Sequence, residues 1–128
     1  MRSVTYARIA AAQAAYYGVT GVAPFVSRSA FEAVTGPKSD WWLVLTVGAT
    51  VSVIGGTLGS AAGRGRVTPE IRLLGIGSAA ALGTIDAVYV LKGRIAPTYL
   101  VDAGFQAAIV AGWARAAQRE HVLPHAGP

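Results

Sequence analysis

Residues 73–113 read LLGIGSAAALGTIDAVYVLKGRIAPTYLVDAGFQAAIVAGW and contain two long apolar runs separated by the basic turn Lys92-Gly93-Arg94. Each run holds a single acidic residue, Asp86 in the first and Asp102 in the second. Two apolar runs joined by a short polar turn are typical of a transmembrane helical hairpin, because a backbone inside the bilayer must satisfy its own hydrogen bonds. We therefore predict an antiparallel pair of membrane-spanning helices in this stretch.

Composition extends this prediction to the whole chain. Hydrophobic residues make up 53% and charged residues 13% of the 128 positions, whereas an ordinary soluble domain carries roughly 25% charged residues. Residues 41–62 form a run of 22 residues without a charge, which as a helix is about 33 Å long and can cross the hydrocarbon core. We predict an all-α fold for residues 1–128, a single integral membrane domain built as an antiparallel four-helix transmembrane bundle with short loops. The predicted spans are about residues 9–26, 41–62, 71–91 and 97–117.

Capping patterns indicate where several helices begin or end. Ser29 followed by Glu32 has the spacing of a capping box and predicts a short interfacial helix before the turn at Gly36. Thr68, followed by a proline and a glutamate, predicts the start of the third span. Pro24 predicts a kink or an end in the first span, since proline has no amide hydrogen to donate.

The basic residues indicate the partners and the orientation of the chain. The net charge is +5, and the 11 Lys and Arg residues lie mostly between apolar runs, where they favour membrane lipid over nucleic acid as a partner. With four spans, seven of the 11 lie at the termini and in the middle loop, and four lie on the opposite side. The positive-inside rule then predicts that both termini are cytoplasmic.

Small residues recur on two of the predicted helices at three- and four-residue steps. This spacing places them on one face, where their small size permits another helix to approach closely. The partner is either a helix of the same chain or a second protein. The predicted helix-packing positions are Gly48, Ser52, Gly55 and Gly59 in the second span and Gly75, Ala79 and Gly83 in the third.

Polar residues are predicted to form one layer in the outer half of the bundle. Asp86 lies five residues before the end of the third span, and Asp102 lies five residues after Pro97 at the start of the fourth. Each carboxyl group is therefore predicted about 7 Å below the outer surface, at matched depth on adjacent helices. The candidate ligand-binding residues in this layer are Thr20, Thr46, Tyr17, Tyr89, Tyr99 and Gln106, and Gln13 and Tyr16 continue the line along the first span.

Asp86 and Asp102 have two interpretations. A carboxylate in hydrocarbon must be paired, protonated or facing water, because an isolated ion there is strongly unfavourable. In a structural interpretation the two residues turn towards Lys92 and Arg94, which neutralise them and hold the hairpin in register. In a functional interpretation they share a proton, and they bind a ligand or act as candidate catalytic acid and base.

We predict neither a metal site nor a cofactor. The chain has no cysteine, and His121 and His125 are separated by Pro124 and have no third ligand. There is no nucleophile beside a base, and no glycine pattern typical of a phosphate or dinucleotide site. The three tryptophans are typical of membrane-interface anchors, and they are Trp41, Trp42 and Trp113.

Three stretches carry a resemblance to known proteins. Residues 31–44 read FEAVTGPKSDWWLV, residues 85–87 read IDA and residues 99–103 read YLVDA. In this order they resemble small, uncharacterised four-span integral membrane proteins of bacteria. The resemblance implies the four-helix fold and a location in the bacterial inner (cytoplasmic) membrane, and it brings no activity or catalytic residue with it.

These observations favour a non-catalytic binding or accessory protein, which packs with itself as a homo-oligomer or serves as a small subunit of a larger membrane complex. The small-residue faces, the short loops and the missing reaction motif support this hypothesis. One alternative is a small membrane enzyme, or a lipid- or isoprenoid-binding protein, that uses Asp86 and Asp102 as acid and base. Another is a proton-coupled transporter subunit, for which four spans would require a dimer.

Overall fold

The protein is helical throughout the part of the chain that its structure, a computed structural model, describes. Residues 4–122 form five α-helices and no strand, which confirms the prediction of an all-α chain. His125 lies outside these residues, and so does the side chain of His121. The helices are α1 (Val4–Val26), α2 (Arg28–Thr35), α3 (Trp41–Gly63), α4 (Pro69–Leu91) and α5 (Tyr99–Val122).

Two of the helices in residues 4–122, α3 and α4, are long and apolar enough to cross a membrane. Each has 23 residues, or about 34 Å at helical rise. Helices α1 and α5 are as long, with 23 and 24 residues, but they carry more polar side chains. Gln13 and the tyrosine pair after it interrupt α1, and Asp102 and Gln106 interrupt α5.

The four long helices lie side by side in two closely packed pairs. Helix α1 packs along α3, and α4 packs along α5. The two pairs meet mainly where α1 contacts α5, whereas α3 and α4 contact each other much less. The order around the bundle is therefore α1, α3, α4, α5, with the loosest junction between α3 and α4.

Small residues set the spacing within both pairs. A Cβ atom added to Gly48 would lie 2.6 Å from the carbonyl oxygen of Gly21, so the backbones of α1 and α3 touch there. A Cβ atom added to Gly55 would lie 3.1 Å from the Cβ atom of Tyr17. On α4, a Cβ atom at Gly75 would lie 2.5 Å from the Trp113 ring. The small-residue faces of α3 and α4 are thus filled by α1 and α5 of the same chain. The remaining predicted positions lie along these contacts as well, with Ser52 against Gly21, Gly59 against Ala14, Gly83 against Gln106, and Ala79 fully buried.

Several helix ends differ from their predicted positions. The cap of α2 is Ser27 rather than Ser29, because the Ser27 hydroxyl accepts the Ala30 N–H at 3.2 Å. The predicted glutamate does not complete a capping box, since the Glu32 carboxylate accepts the Lys38 N–H at 2.8 Å. Pro24 does not end α1, which continues to Val26. The predicted cap of α4 is confirmed, with the Thr68 hydroxyl accepting the Ile71 N–H at 3.3 Å.

Candidate functional site

Buried polar side chains lie together where α1, α4 and α5 meet. Within residues 4–122, the buried polar or charged residues are Gln13, Asp86 and Gln106, at 0%, 7% and 3% exposure. Each of these three helices contributes one of them. We use the term polar core for these three residues with their neighbours Tyr16, Tyr17, Asp102 and Trp113.

The acidic end of the polar core is built around Asp102. Its carboxylate accepts a hydrogen bond from the hydroxyl of Tyr16, and the Gln106 side-chain amide lies 3.4 Å from both carboxylate oxygens. The Gln106 carbonyl in turn accepts the Tyr17 hydroxyl at 2.7 Å. Side chains of α1 therefore hold the carboxylate and the amide of α5, which fixes the rotation of α5 about its own axis.

Asp86 of α4 lies near Asp102 of α5, so the two carboxyl groups interact electrostatically. Its Oδ2 atom is buried and has no hydrogen-bond partner among residues 4–122. A buried polar atom without a partner is unusual in a native protein, because its desolvation is unfavourable and no hydrogen bond compensates for it. One proton shared between the two carboxyl groups would reduce this cost, since it removes one of two like charges.

The opposite end of the polar core is neutral. The Gln13 side-chain amide donates to the carbonyl oxygen of Gly75 at 2.8 Å, and its carbonyl accepts the indole N–H of Trp113 at 2.7 Å. The predicted role of Trp113 as an interface anchor is therefore wrong, since its ring is 2% exposed and packs on Gly75. The glycine leaves the space for the ring, and Gln13 satisfies its N–H.

Two members of the polar core differ from their predicted places, since Gln13 was expected only at the margin of the polar layer and Trp113 outside it. One signal for Gln13 was available, because its four-residue step to Tyr17 places both on one face of α1. No local signal marks Trp113, which lies near the C-terminal end of a predicted span like an ordinary anchor.

Four predicted layer residues do not join the polar core, and they are Thr20, Thr46, Tyr89 and Tyr99. The hydroxyl of Thr20 donates to the Tyr16 carbonyl at 2.9 Å, and that of Thr46 donates to the Trp42 carbonyl at 2.8 Å. Such bonds to the residue four positions earlier satisfy a hydroxyl within its own helix. The Tyr89 side chain is 39% exposed and lies outside the polar core.

Neither aspartate is neutralised by the basic turn between α4 and α5. The Lys92 ammonium lies over the Tyr89 ring, 5.4 Å from its centroid. Residues 4–122 contain one ion pair, between Arg28 and Glu32. Among these residues, therefore, neither Asp86 nor Asp102 forms an ion pair with Lys92 or Arg94. The predicted structural role for these aspartates, locking the hairpin through its turn, has no support in this geometry.

Tyr99 lies instead in a cap that α2 and its following turn form over the start of α5. The Lys38 ammonium donates to the carbonyls of Thr35 and Gly36 at 2.7 and 2.9 Å, and lies 5.3 Å from the Tyr99 ring centroid. Burial lowers the pKa of Lys38, although nearby Glu32 opposes that change. The Thr98 hydroxyl donates to the Val34 carbonyl at 2.7 Å, so α2 is tied to the helix that carries Asp102.

The described residues contain no group of three or more His, Cys, Asp or Glu side chains that could hold a metal ion. Two carboxyl groups, two tyrosines and a glutamine can exchange a proton or hold a small cationic or hydrogen-bonding group. No family model matches the chain, and no curated protein and no solved structure is significantly similar to it. The polar core is therefore the principal guide to function.

Proposed function

We propose that the chain is an integral membrane protein in which α1, α3, α4 and α5 each cross the bilayer. The distribution of side chains supports this proposal, because the polar groups lie inside the bundle and large apolar groups lie outside it on all four helices. Such an extensive apolar exterior is unfavourable in water and favourable in lipid. Exposed examples are Val19 (72%) and Phe25 (55%) on α1, Val47 (54%) and Val53 (69%) on α3, Leu73 (71%) and Ile85 (54%) on α4, and Val101 (63%) and Phe105 (51%) on α5.

The proposed orientation has both termini in the cytoplasm of a bacterial cell. Seven of the 11 basic residues then lie on the cytoplasmic side, and they include Arg64 and Arg66 in the turn between α3 and α4. The turn between α4 and α5, with Lys92 and Arg94, faces the outside. Asp86 and Asp102 lie in the outer half of the membrane in this orientation.

Within the membrane we propose a binding or accessory role rather than catalysis. The observation that carries this proposal is that the hydrogen-bonding positions around Asp102 are already occupied by side chains of the protein. Tyr16 and Gln106 occupy hydrogen-bonding positions around Asp102 that a substrate would otherwise need, and the Phe105 ring stacks on Tyr16 with centroids 4.9 Å apart. Hydrogen bonds of this kind between α1 and α5 specify how the helices pack, and the apolar exterior is left to contact a second copy or a larger membrane complex.

Gentle extraction into nanodiscs, followed by mass measurement of the intact particles, tests the accessory role. We expect the wild-type chain to carry a second copy or another subunit, and Asp102→Asn to weaken that assembly by loosening α1 against α5. A small molecule that accompanies the wild type and is lost from a folded, still assembled Asp102→Asn variant would contradict the proposal. That result would favour a ligand-binding protein or an enzyme acting on a lipid or isoprenoid-like substrate.

A second candidate function is proton exchange, and the unpartnered Oδ2 atom of Asp86 favours it. In a proton-coupled transporter subunit, Asp86 and Asp102 would hold one proton between them and release it when the bundle opens. Proton flux into liposomes with an internal pH dye tests this candidate. Flux that the wild type supports and Asp86→Asn abolishes would establish it, and equal traces from empty and loaded liposomes would rule it out.

A further inference from the structure

The loose junction between α3 and α4 contains an open cleft that is separate from the polar core. Its volume is about 450 Å³, which is within the range of roughly 300–1,000 Å³ that small-molecule sites occupy. One wall is a face of α3 with Val53, Gly56 and Ser60, and Ile71 in the first turn of α4 lies opposite. Ile71 precedes Asp86 by 15 residues, or about 22 Å along α4, so the cleft lies at the other end of the bundle.

The cleft has the length of one membrane leaflet. Its longest wall runs from Val53 on α3 to Arg64 directly after that helix, and these 11 steps of about 1.5 Å extend about 16 Å. Half of a hydrocarbon core of about 30 Å is nearly the same length. The Thr57 hydroxyl in this wall donates to the Val53 carbonyl at 2.9 Å, so it does not present an unsatisfied polar group to an apolar occupant.

Positive charge lies at one end of the cleft. Arg64 and Arg66 line that end, and both are exposed and form no ion pair with any of residues 4–122. They flank Gly65, whose φ of 64° lets the chain turn between α3 and α4. Two guanidinium groups at the same end of a cleft suit a phosphate, because each presents a planar fork of N–H donors.

We propose that this cleft binds one anionic phospholipid of the cytoplasmic leaflet. Its phosphate lies against Arg64 and Arg66, and one acyl chain follows the groove past Ser60 and Gly56 towards Val53. Two arginines without partners favour an anionic lipid over a zwitterionic one, whose own cationic group would be repelled. The inference rests on the membrane location proposed above and is independent of the function of the polar core.

A charge variant with a matched control tests the headgroup contact. The chain has two similar basic turns, each with two basic residues around a glycine of positive φ, and they are Arg64-Gly65-Arg66 and Lys92-Gly93-Arg94. Of these two turns, only the first lines the cleft. Each protein is placed in nanodiscs of equimolar phosphatidylcholine and phosphatidylglycerol, released in the mass spectrometer, and its retained lipids are counted. We expect the wild type and the Lys92→Gln/Arg94→Gln control to retain phosphatidylglycerol preferentially. In Arg64→Gln/Arg66→Gln, the ratio of retained phosphatidylglycerol to phosphatidylcholine should fall by about tenfold.

A second pair of variants tests the acyl groove without changing any charge. A Cβ atom added at Gly56 or at Gly77 would meet nothing within 4 Å, and only Gly56 lines the cleft. Gly56→Leu fills the groove and is expected to reduce the retained phosphatidylglycerol, whereas Gly77→Leu on α4 is expected to retain it as the wild type does.

Four results would overturn the inference. Equal retention of both lipids by the wild type, or equal losses from the two charge variants, would show only nonspecific lipid around the protein. A dimer without lipid would show that a second copy fills the cleft. A wild-type chain that does not enter nanodiscs would refute the membrane location itself, and would thus be distinguished from a bilayer-inserted protein that lacks this site.

Discussion

Asp86 and Asp102 have very different surroundings. Asp102 accepts hydrogen bonds from Tyr16 and Gln106, whereas the Oδ2 atom of Asp86 has no partner among the described residues. Removing an acceptor from a satisfied network strands its donors, while adding a donor beside an unpaired acceptor can stabilise it. The same substitution at the two positions should therefore have different effects.

Asp86→Asn is expected to leave the free energy of unfolding unchanged or to raise it, because the new amide can donate to Asp102 and one negative charge is lost. Asp102→Asn should lower it by about 1–3 kcal/mol, since its amide group opposes the Gln106 amide. Thermal unfolding in detergent measures both. Equal losses from the two variants would contradict the different roles assigned to the two carboxyl groups.

Substitution of Gln13 is also expected to destabilise the protein. Gln13 is fully buried and bonds to both Gly75 and Trp113. Gln13→Leu keeps a similar volume but leaves the indole N–H of Trp113 without an acceptor, at an expected cost of about 1–3 kcal/mol. Gln118→Leu on the exposed side of α5 is the matched control and should change stability little. Chemical unfolding followed by tryptophan fluorescence compares them, and similar midpoints would contradict the role of Gln13.

At the scale of helices, glycines decide which pairs pack closely. Gly75 and Gly77 lie two residues apart on α4 and differ in what surrounds them. A Cβ atom at Gly75 would lie 2.5 Å from the Trp113 ring, and one at Gly77 would meet nothing within 4 Å. The indole is rigid and is held by Gln13, so it cannot move aside without loss of a hydrogen bond.

Gly75→Ala should therefore destabilise the α4–α5 pair by about 1–3 kcal/mol through overpacking. Gly77→Ala should be neutral or should stabilise the protein by up to about 1 kcal/mol, because alanine is the better helix former. Both variants add one methyl group to the same helix, so their difference in thermal stability isolates the contact. The opposite order would show that Trp113 does not pack on Gly75 in the folded protein.

At the scale of the whole molecule, four spans predict that alternate turns lie on opposite sides of the membrane. The chain has no cysteine, so single cysteines report location without a background. Ser39→Cys and Gly63→Cys both fall at exposed positions, the first before α3 and the second at its end. In intact bacterial cells, a membrane-impermeant maleimide should label Ser39→Cys and should label Gly63→Cys only after the cells are opened.

The outcome distinguishes the possible arrangements. Labelling of both positions in intact cells would mean that α3 does not cross the bilayer. Labelling of Gly63→Cys alone would reverse the proposed orientation. Cysteines at Gln118 and Arg94, tested in the same way, extend the measurement to α4 and α5.

Much of the fold could be predicted from local sequence. The charge-free run of residues 41–62 corresponds to α3 at Trp41–Gly63, and the predicted span at 71–91 corresponds to α4 at Pro69–Leu91. Thr68 begins α4 as predicted, because a cap depends on residues within one turn of it. The prediction of Ser29 as the cap of α2 was wrong, because Ser27 carries the same hydroxyl group two residues earlier and caps the helix instead.

The sequence by itself determined that the chain is helical, roughly where each long helix lies, and that Asp86 and Asp102 interrupt apolar runs. These properties follow from composition and from contacts within a few residues. The rotation of each helix was decided only by the tertiary structure. Asp102 and Gln106 turn inwards because Tyr16 and Tyr17 bond to them across more than 80 residues of chain, and Trp113 is buried because Gln13, 100 residues away, accepts its N–H. Helical periodicity places residues on a common face, but only contacts between distant helices select the face that turns inwards.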